Sequence, residues 1–258
     1  MKDLRIVIPA YNEELTIGEV VDRVKKACPE AEVVVIDNGS HDRTGELARR
    51  KNVNVISVSP NVNYGGALKI GFKSAFESNS SIKYLAFLDA DGTYPPEKIP
   101  ELYNLCNEGD YDVAVGSRLL GRNEGMPFIR NVGNRLFALL ARAYTGRKVS
   151  DVGSGLRVFR PLRLAWVQNL SDGMNFTPQM TMKALFEGVA YIEIPVEYDK
   201  RESKSNLNII RDGYRFLRVI LTTTKTYRPK RYYLTLGLPF QFTEFIIEKV
   251  ARSRLGNG

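Results

Sequence analysis

The sequence predicts an α/β fold, a mostly parallel, Rossmann-like sheet with helices on both faces. Three observations carry that expectation. Short runs of apolar, often β-branched residues recur through the first half of the chain, stretches with helical periodicity separate them, and polar or acidic residues follow directly on the ends of the runs. A strand buried on both faces reads as a continuous apolar run, which a parallel sheet between two helical layers requires.

Residues 4–8 are the first such run, ended by Pro9. Ile17, Val20, Val21 and Val24 then fall at i, i+3, i+4 and i+7, the stripe of an amphipathic helix. Residues 33–36 are a second strand, 42–51 a short helix, 53–58 a third strand and 67–76 a second long helix. A fourth strand over 84–88 and a fifth over 112–115 complete the alternation. Pro96 belongs in the first turn of the helix after the fourth strand, where its missing N–H removes no hydrogen bond. Beyond about residue 119 the alternation lapses. A helix rich in Leu, Ala and Arg is expected over 128–144 and a Gly-rich segment entering a strand over 150–159. A helix over 177–186, a strand of period two over 190–198 and a helix over 207–222 follow. There is no internal repeat, no low-complexity stretch and no linker of the kind that separates domains.

The chain has 258 residues, 43% of them apolar, enough for one substantial core and too many for disorder. Its formal charge of +8 suits an anionic partner (nucleotide, lipid phosphate, membrane surface or nucleic acid) or plain solubility. Cys28 and Cys106 lie far apart with no C-x-x-C spacing, so neither a zinc site nor a disulfide framework is supported. His41 is the single histidine, which excludes His-rich metal sites and a Ser-His-Asp triad. No run of eighteen apolar residues occurs, and the chain opens on a strand rather than a leader. A cytoplasmic protein, or one peripheral on the cytosolic face of a membrane, is the expectation.

In an open parallel sheet, ligands bind beyond the carboxyl ends of the strands. There this sequence places Tyr11-Asn12-Glu13, Asp37-Asn38-Gly39-Ser40 and Asp89-Ala90-Asp91. Asp89 and Asp91 are two hard oxygen donors of the kind Mg²⁺ or Mn²⁺ takes, with diphosphate oxygens and waters completing the shell. Charge explains the need for a metal: a carboxylate about 4 Å from a phosphate charge repels it by roughly 4 kcal/mol at an effective dielectric near 20. A divalent cation reverses that sign. Residues 66–71 imitate the start of a P-loop, but Phe72 stands where its lysine belongs, and no G-x-G-x-x-G follows the first strand.

Taken together, Pro9-Ala10-Tyr11-Asn12-Glu13, Asp37-Asn38-Gly39-Ser40-His41-Asp42-Arg43-Thr44, Asp89-Ala90-Asp91-Gly92-Thr93-Tyr94-Pro95-Pro96-Glu97 and Gly116-Ser117-Arg118 resemble the ordered motifs of family 2 glycosyltransferases, above all the branch of dolichol- and polyprenyl-phosphate sugar synthases. Asn131-Val132-Gly133-Asn134, the segment from Ser150 to Arg157 and Arg211-Asp212-Gly213 extend the resemblance over residues 4–225. It implies a GT-A fold, with a catalytic domain over 1–225 and a basic, amphipathic helical extension over 226–258. By position, Pro9, Tyr11, Glu13, Ile36, Asp37 and Asn38 would surround the base and ribose of a nucleotide sugar. Asp89, Ala90 and Asp91 would meet its diphosphate, with Asp89 and Asp91 as the metal ligands, and Arg118, Arg201 and Lys204 would meet phosphate. Asp91, Arg118 and Arg201 are the residues this implies for catalysis, with inversion at the sugar. Without the motif set, Pro9 and Tyr11 read as a strand-ending turn and Asp37 and Asn38 as a capping loop. Arg157 reads equally as a structural partner of Asp151. Two departures stand out. Where the branch carries Arg-x-Gly-x-Ser-Lys, this chain has Ser203 for the glycine and Asn206 for the lysine, with Lys204 a shifted source of charge. Thr93 takes the place of a metal-side Gln.

Relatives that attack hydroxyl acceptors often carry Glu where this chain has Gln179, which cannot take a proton. A phosphate acceptor needs no base, because its second pKa near 6 leaves it largely dianionic at pH 7. Residues 211–233 interleave seven Arg or Lys with five aromatics, a composition suited to an anionic membrane surface, and residues 234–250 form an apolar tail broken by polar residues. The reading is transfer of a hexose from a GDP-mannose- or UDP-glucose-type donor to polyprenyl or dolichyl phosphate; the alternative is a soluble or glycan hydroxyl acceptor. A nucleotide- or nucleic-acid-binding protein without catalysis is the remaining class, but no nucleic-acid motif is present, so no nucleic acid is expected as partner.

Overall fold

The computed structural model describes residues 1–78, 81–201 and 209–234. The chain opens with β1 (Leu4–Ala10), α1 (Ile17–Ala27), β2 (Glu32–Asp37), α2 (Thr44–Arg49) and β3 (Asn54–Ser57). It continues with α3 (Asn63–Ser78), β4 (Tyr84–Phe87), α4 (Ile99–Asn107) and β5 (Val113–Ser117). Then come α5 (Phe128–Thr145), β6 (Arg157–Phe159), α6 (Phe176–Phe186), β7 (Tyr191–Pro195), α7 (Ile209–Tyr227) and α8 (Pro229–Leu234). Pro96 opens a 3₁₀ turn, Pro96–Lys98, that runs into α4, so it costs no helical hydrogen bond. A second 3₁₀ segment, Pro161–Asn169, is not expected from the sequence, whereas α8 falls within the helical extension expected after residue 225.

The strands form one sheet in the order β3-β2-β1-β4-β6-β5-β7. From β1 the chain moves outward to β2 and β3, then returns to place β4 on the other side of β1. That reversal opens a crevice at the carboxyl ends of β1 and β4, where an α/β sheet binds ligands. Successive side chains of β1 point to opposite faces. Leu4, Ile6 and Ile8 meet Val20 and Val21 of α1 and Leu102 of α4, while Val7 joins Phe72 of α3 and Phe176 and Met180 of α6. Arg5, fully buried in this apolar strand, is neutralised by Glu32, its register partner on β2, at 2.6 Å.

One strand departs from the parallel pattern. β6 runs antiparallel between β4 and β5. Its first residue, Arg157, pairs with Phe87 and Val115 near the carboxyl ends of both neighbours. The Gly-rich segment before it has crossed that edge of the sheet, so β6 can only run back the other way. A third apolar cluster holds the C-terminal helices together. Ala138 and Ala141 of α5 pack with Met182 and Leu185 of α6, Ile220 and Leu221 of α7, and Tyr232 of α8. α7 passes residue 225 without a break, and Tyr232 is buried, so residues 226–234 lie against the domain. The tail from 235 onward lies outside the described residues.

Gly71 lets α3 lie close on β1, because a Cβ there would collide with the methyls of Val7. Gly71→Ala should therefore destabilise the fold by about 1–3 kcal/mol through overpacking. That exceeds the gain of up to about 1 kcal/mol in helix propensity. Urea unfolding of the two proteins measures it, and a variant as stable as the parent would show that the helix can move away.

Candidate active site

A cavity of about 770 Å³ opens over the carboxyl ends of β1 and β4. On the β1 side the wall is Pro9, Ala10, Tyr11 and Glu13. The turn that presents them needs Asn12 in the left-handed region, φ 54°, which Asn tolerates better than most residues. Its Oδ1 accepts the His41 N–H at 2.8 Å, and the Glu13 N–H donates to Thr44 Oγ1 at 2.8 Å, lashing the turn to the loop after β2. Asn38, also in the wall, accepts the Val62 N–H and donates to the Asn63 carbonyl.

The floor is the stretch after β4. The Asp91 carboxylate folds back on its own loop, accepting from Thr93 Oγ1 at 2.6 Å and from the Thr93 N–H at 3.2 Å, and Gly92 at φ 75° makes that turn possible. Ala90 is fixed from behind, its carbonyl accepting Thr16 Oγ1 at 2.7 Å. Asp89 accepts the Tyr64 hydroxyl at 2.7 Å. Gly155 lies so close to Asp89 that a side chain there would collide with its carboxylate. Enclosure by protein, and then the charge of Asp91, push the Asp89 pKa up to about 7.

Arginines answer this negative charge. Arg201 spans Glu13 and Asp91, bonded to the first and 3.4 Å from Asp91 Oδ2. Arg118 lines the cavity with Nε and Nη2 each 2.7 Å from the Asp151 carboxylate, which leaves Nη1 for a ligand. Burial works against the charge on Arg118, but Asp151 overcomes it and the pKa ends well above the usual value. Asp151 is placed in turn by Glu193 of β7, which accepts the N–H groups of Ser150 and Asp151 at 2.6 and 3.0 Å. Asp151 is thus the partner of Arg118 and not of Arg157. Arg157, fully buried, donates to the carbonyls of Val152 and Ser154 and so shapes the loop that carries Asp151.

Other expected positions fall outside the wall. Ile36 is buried in the core between β2 and α3, and Asp37 accepts from the Ser40 N–H and the Ser57 hydroxyl. Neither lines the cavity. Lys204, like the departures at Ser203 and Asn206, lies outside the described residues. Gln179 is likewise absent from the wall; its Oε1 accepts the Ser171 N–H at 2.9 Å and ties down the loop before α6. Among the lining residues to which the sequence gives no role are Tyr64 and Asp212, the latter a buried carboxylate 3.4 Å from Arg211 and 3.2 Å from Arg215. Its Arg-Asp-Gly setting was the available signal.

Among the described residues no three His, Cys, Asp or Glu side chains cluster to hold a metal. Asp89 and Asp91 nevertheless fit Mg²⁺ or Mn²⁺. They are hard oxygen donors, and the crowding that raises the Asp89 pKa is what a divalent cation would relieve. The rest of the shell would come from ligand oxygens and water.

The family model described as glycosyl transferase family 2 matches residues 5–161. The chain is 35% identical to the low-salt glycan biosynthesis hexosyltransferase Agl6 of Haloferax volcanii, over 87% of this chain and 54% of that protein, so it spans about half the length of that relative. It is 33% identical to the dolichyl-phosphate hexose transferase of the same organism, over 82% of this chain and 89% of the other. With the polyprenol monophosphomannose synthase of Mycolicibacterium smegmatis it shares 30% identity, over 76% and 77%. Among solved structures, the glucosyl-3-phosphoglycerate synthase of Mycobacterium tuberculosis with Mn²⁺, UDP-glucose and phosphoglyceric acid superposes with a TM-score of 0.70 at 18% identity, covering 86% of this chain and 79% of that one. That likeness is one of fold, and the fold is GT-A.

The raised pKa of Asp89 has a signed consequence for stability. The folded state holds this proton more tightly than the unfolded chain, so the stability it contributes is complete below about pH 4 and is lost as pH rises through about 7. In metal-free buffer the stability of Asp89→Asn relative to the parent should rise by about 2–3 kcal/mol between pH 5 and pH 8. Urea unfolding at both pH values measures this; a difference independent of pH would mean that Asp89 is ionised throughout.

Proposed function

The chain belongs to glycosyl transferase family 2, and from that premise we propose that it moves a hexose from a nucleoside-diphosphate sugar to the phosphate of a polyprenyl or dolichyl phosphate, with Mg²⁺ or Mn²⁺ held by Asp89 and Asp91. The observation that carries this reading is the mixed lining of the cavity, which combines the acids Glu13, Asp89 and Asp91 with the apolar side chains of Met126, Ile129, Phe137, Met174 and Phe216. A charged, metal-bound donor suits the first group and an isoprenoid chain the second. The names of the relatives point the same way: one acts on dolichyl phosphate and one makes polyprenol monophosphomannose.

In this reading residues 1–225 form the catalytic unit. Pro9, Tyr11, Glu13 and Asn38 receive the nucleoside, and Ala90 passes beneath the diphosphate. Ile36 and Asp37, outside the wall, act only by holding the loops that frame it. Arg201 gives up its contacts with Glu13 and Asp91 as donor arrives, and its charge becomes available to phosphate. Arg118, oriented by Asp151, offers Nη1 to the acceptor phosphate. An oxygen of that phosphate, already ionised, forms the new bond to the anomeric carbon with inversion. The bond from that carbon to the diphosphate breaks, and the nucleoside diphosphate leaves with the electron pair. When bound, the divalent cation neutralises the charge left on the diphosphate. A water-soluble donor and a lipid acceptor would meet at the cytosolic surface of a membrane.

One observation favours a hydroxyl acceptor instead. Asp212 is a carboxylate in the cavity wall and could serve as general base, although its oxygens are already engaged by Arg211 and Arg215. The two readings separate in one assay. With Mn²⁺, labelled donors and a short polyprenyl phosphate, the parent should yield labelled lipid, and Asp91→Ala, folded by circular dichroism, should lose at least about a hundredfold of that activity. Asp212→Asn should keep the bulk of it, because a phosphate needs no base. Full activity in Asp91→Ala would sink the site, and transfer only to hydroxyl acceptors, abolished in Asp212→Asn, would favour the second reading.

A further inference from the structure

We propose that the outward face of α5 seats the protein on an anionic lipid bilayer. The helix has two apolar stripes. Ala138, Ala141 and Tyr144 are buried against the other C-terminal helices. On the opposite side Phe128, Val132, Leu136 and Leu139 follow one another at helical spacing, with Ile129 beside them, and these five are between 49% and 85% exposed. Scattered apolar residues on a surface need no explanation, but a continuous stripe along a helix does.

The charge around the stripe says what covers it. Residues 125–150 contain five Arg or Lys and no Asp or Glu. Residues 213–234 contain six Arg or Lys and again no acid. The two stretches lie side by side. Phe137 of α5 meets Phe216 of α7 with ring centroids 5.8 Å apart, and Arg231 of α8 donates to the carbonyl of Tyr144 at 3.2 Å. An apolar stripe beside predominantly basic helical surface is what lies in the headgroup region of an anionic bilayer. A second copy of the chain seated on this face would bring like charges together. The stripe also continues inward, since Ile129, exposed on the surface, also lines the cavity. If the acceptor is a polyprenyl phosphate, as the reading above has it and as this step alone assumes, its chain reaches Asp89 and Asp91 from the bilayer along α5 without crossing water.

Flotation of the full chain with phosphatidylcholine vesicles, with and without phosphatidylglycerol, tests the docking face. The parent should float with the anionic vesicles and lose binding as salt rises. The triple variant Phe128→Ser, Leu136→Ser, Leu139→Ser should partition at least about tenfold more weakly. It should keep the parent's melting temperature and its transfer to a short, water-soluble acceptor. In case the triple variant is unstable, Leu139→Trp gives a second measurement: brominated lipid should quench its fluorescence beyond that of the parent's Trp166. Three results would overturn the proposal: a parent that stays in solution, a triple variant that floats like the parent because residues 235–258 carry the binding, or a lipid-free dimer that the triple variant dissolves. Flotation without any transfer to polyprenyl phosphate would leave the docking face standing and remove the acceptor reading.

Discussion

Two carboxylates at the end of one strand repel each other, and the walls of the cavity are arranged around that repulsion. Asp89 and Asp91 leave β4 at the point where the sheet changes direction, and each is met by groups from distant regions of the chain. Tyr64 comes from α3, Gly155 from the segment before β6, and Arg201 from beyond β7. Burial and the charge of Asp91 outweigh them at Asp89, whose pKa stays above the usual carboxylate range. A buried pair of like charges is destabilising unless a cation or a proton joins it. The fold thus keeps a negative site ready at some cost to its own stability, which is common where a binding site takes priority over the core.

The same floor explains why β6 runs against its neighbours. Residues 150–156 must pass beneath Asp89 to put Gly155 against it and Asp151 against Arg118. Having done so, the chain re-enters the sheet from the carboxyl edge. Glu193 then holds the N–H groups of Ser150 and Asp151, so Arg118 is positioned by a relay that begins on β7. Arg157 holds the other side of the loop through two carbonyls. The guanidinium at the cavity wall is therefore oriented from behind by buried partners, whereas Arg201 forms its ion pairs with the very acids that face the ligand.

How much of this could be read in advance follows from which forces are local. β1 to β5 and their helices announce themselves, because a buried strand must be apolar throughout and an amphipathic helix must repeat every 3.6 residues. The acids at strand ends are legible for the same reason: they interrupt apolar runs. Pairings across the fold are not legible. Asp151 has Arg157 six residues away in sequence, yet Arg118 reaches it across the sheet edge. Asp37 and Asn38 are adjacent, yet only Asn38 turns to the cavity. Gln179 looks like a missing base and proves to be a loop tie. In each case the side chain's direction is decided by neighbours that the fold, and not the local sequence, brings to it, and composition carries no trace of them.

The helix α5 shows the sharpest form of that limit. Periodicity marks an apolar stripe but cannot say which of two stripes faces the core. Residues 128–144 read simply as a helix rich in Leu, Ala and Arg, and Ala138, Ala141 and Tyr144 turn out to face inward while Phe128, Val132, Leu136 and Leu139 face out. Burying Leu136 and Leu139 in the domain would have given more hydrophobic stabilisation than burying alanines. A helix that forgoes that gain, with five Arg or Lys and no acid over residues 125–150, is arranged for something other than its own domain. The bulk charge of +8, compatible at first with any anionic partner or with none, thereby acquires a location. Much of it lies on α5, α7 and α8, and residues of α5 and α7 also line the cavity that holds Asp89 and Asp91. Donor and acceptor would then approach a site whose lining is both charged and apolar.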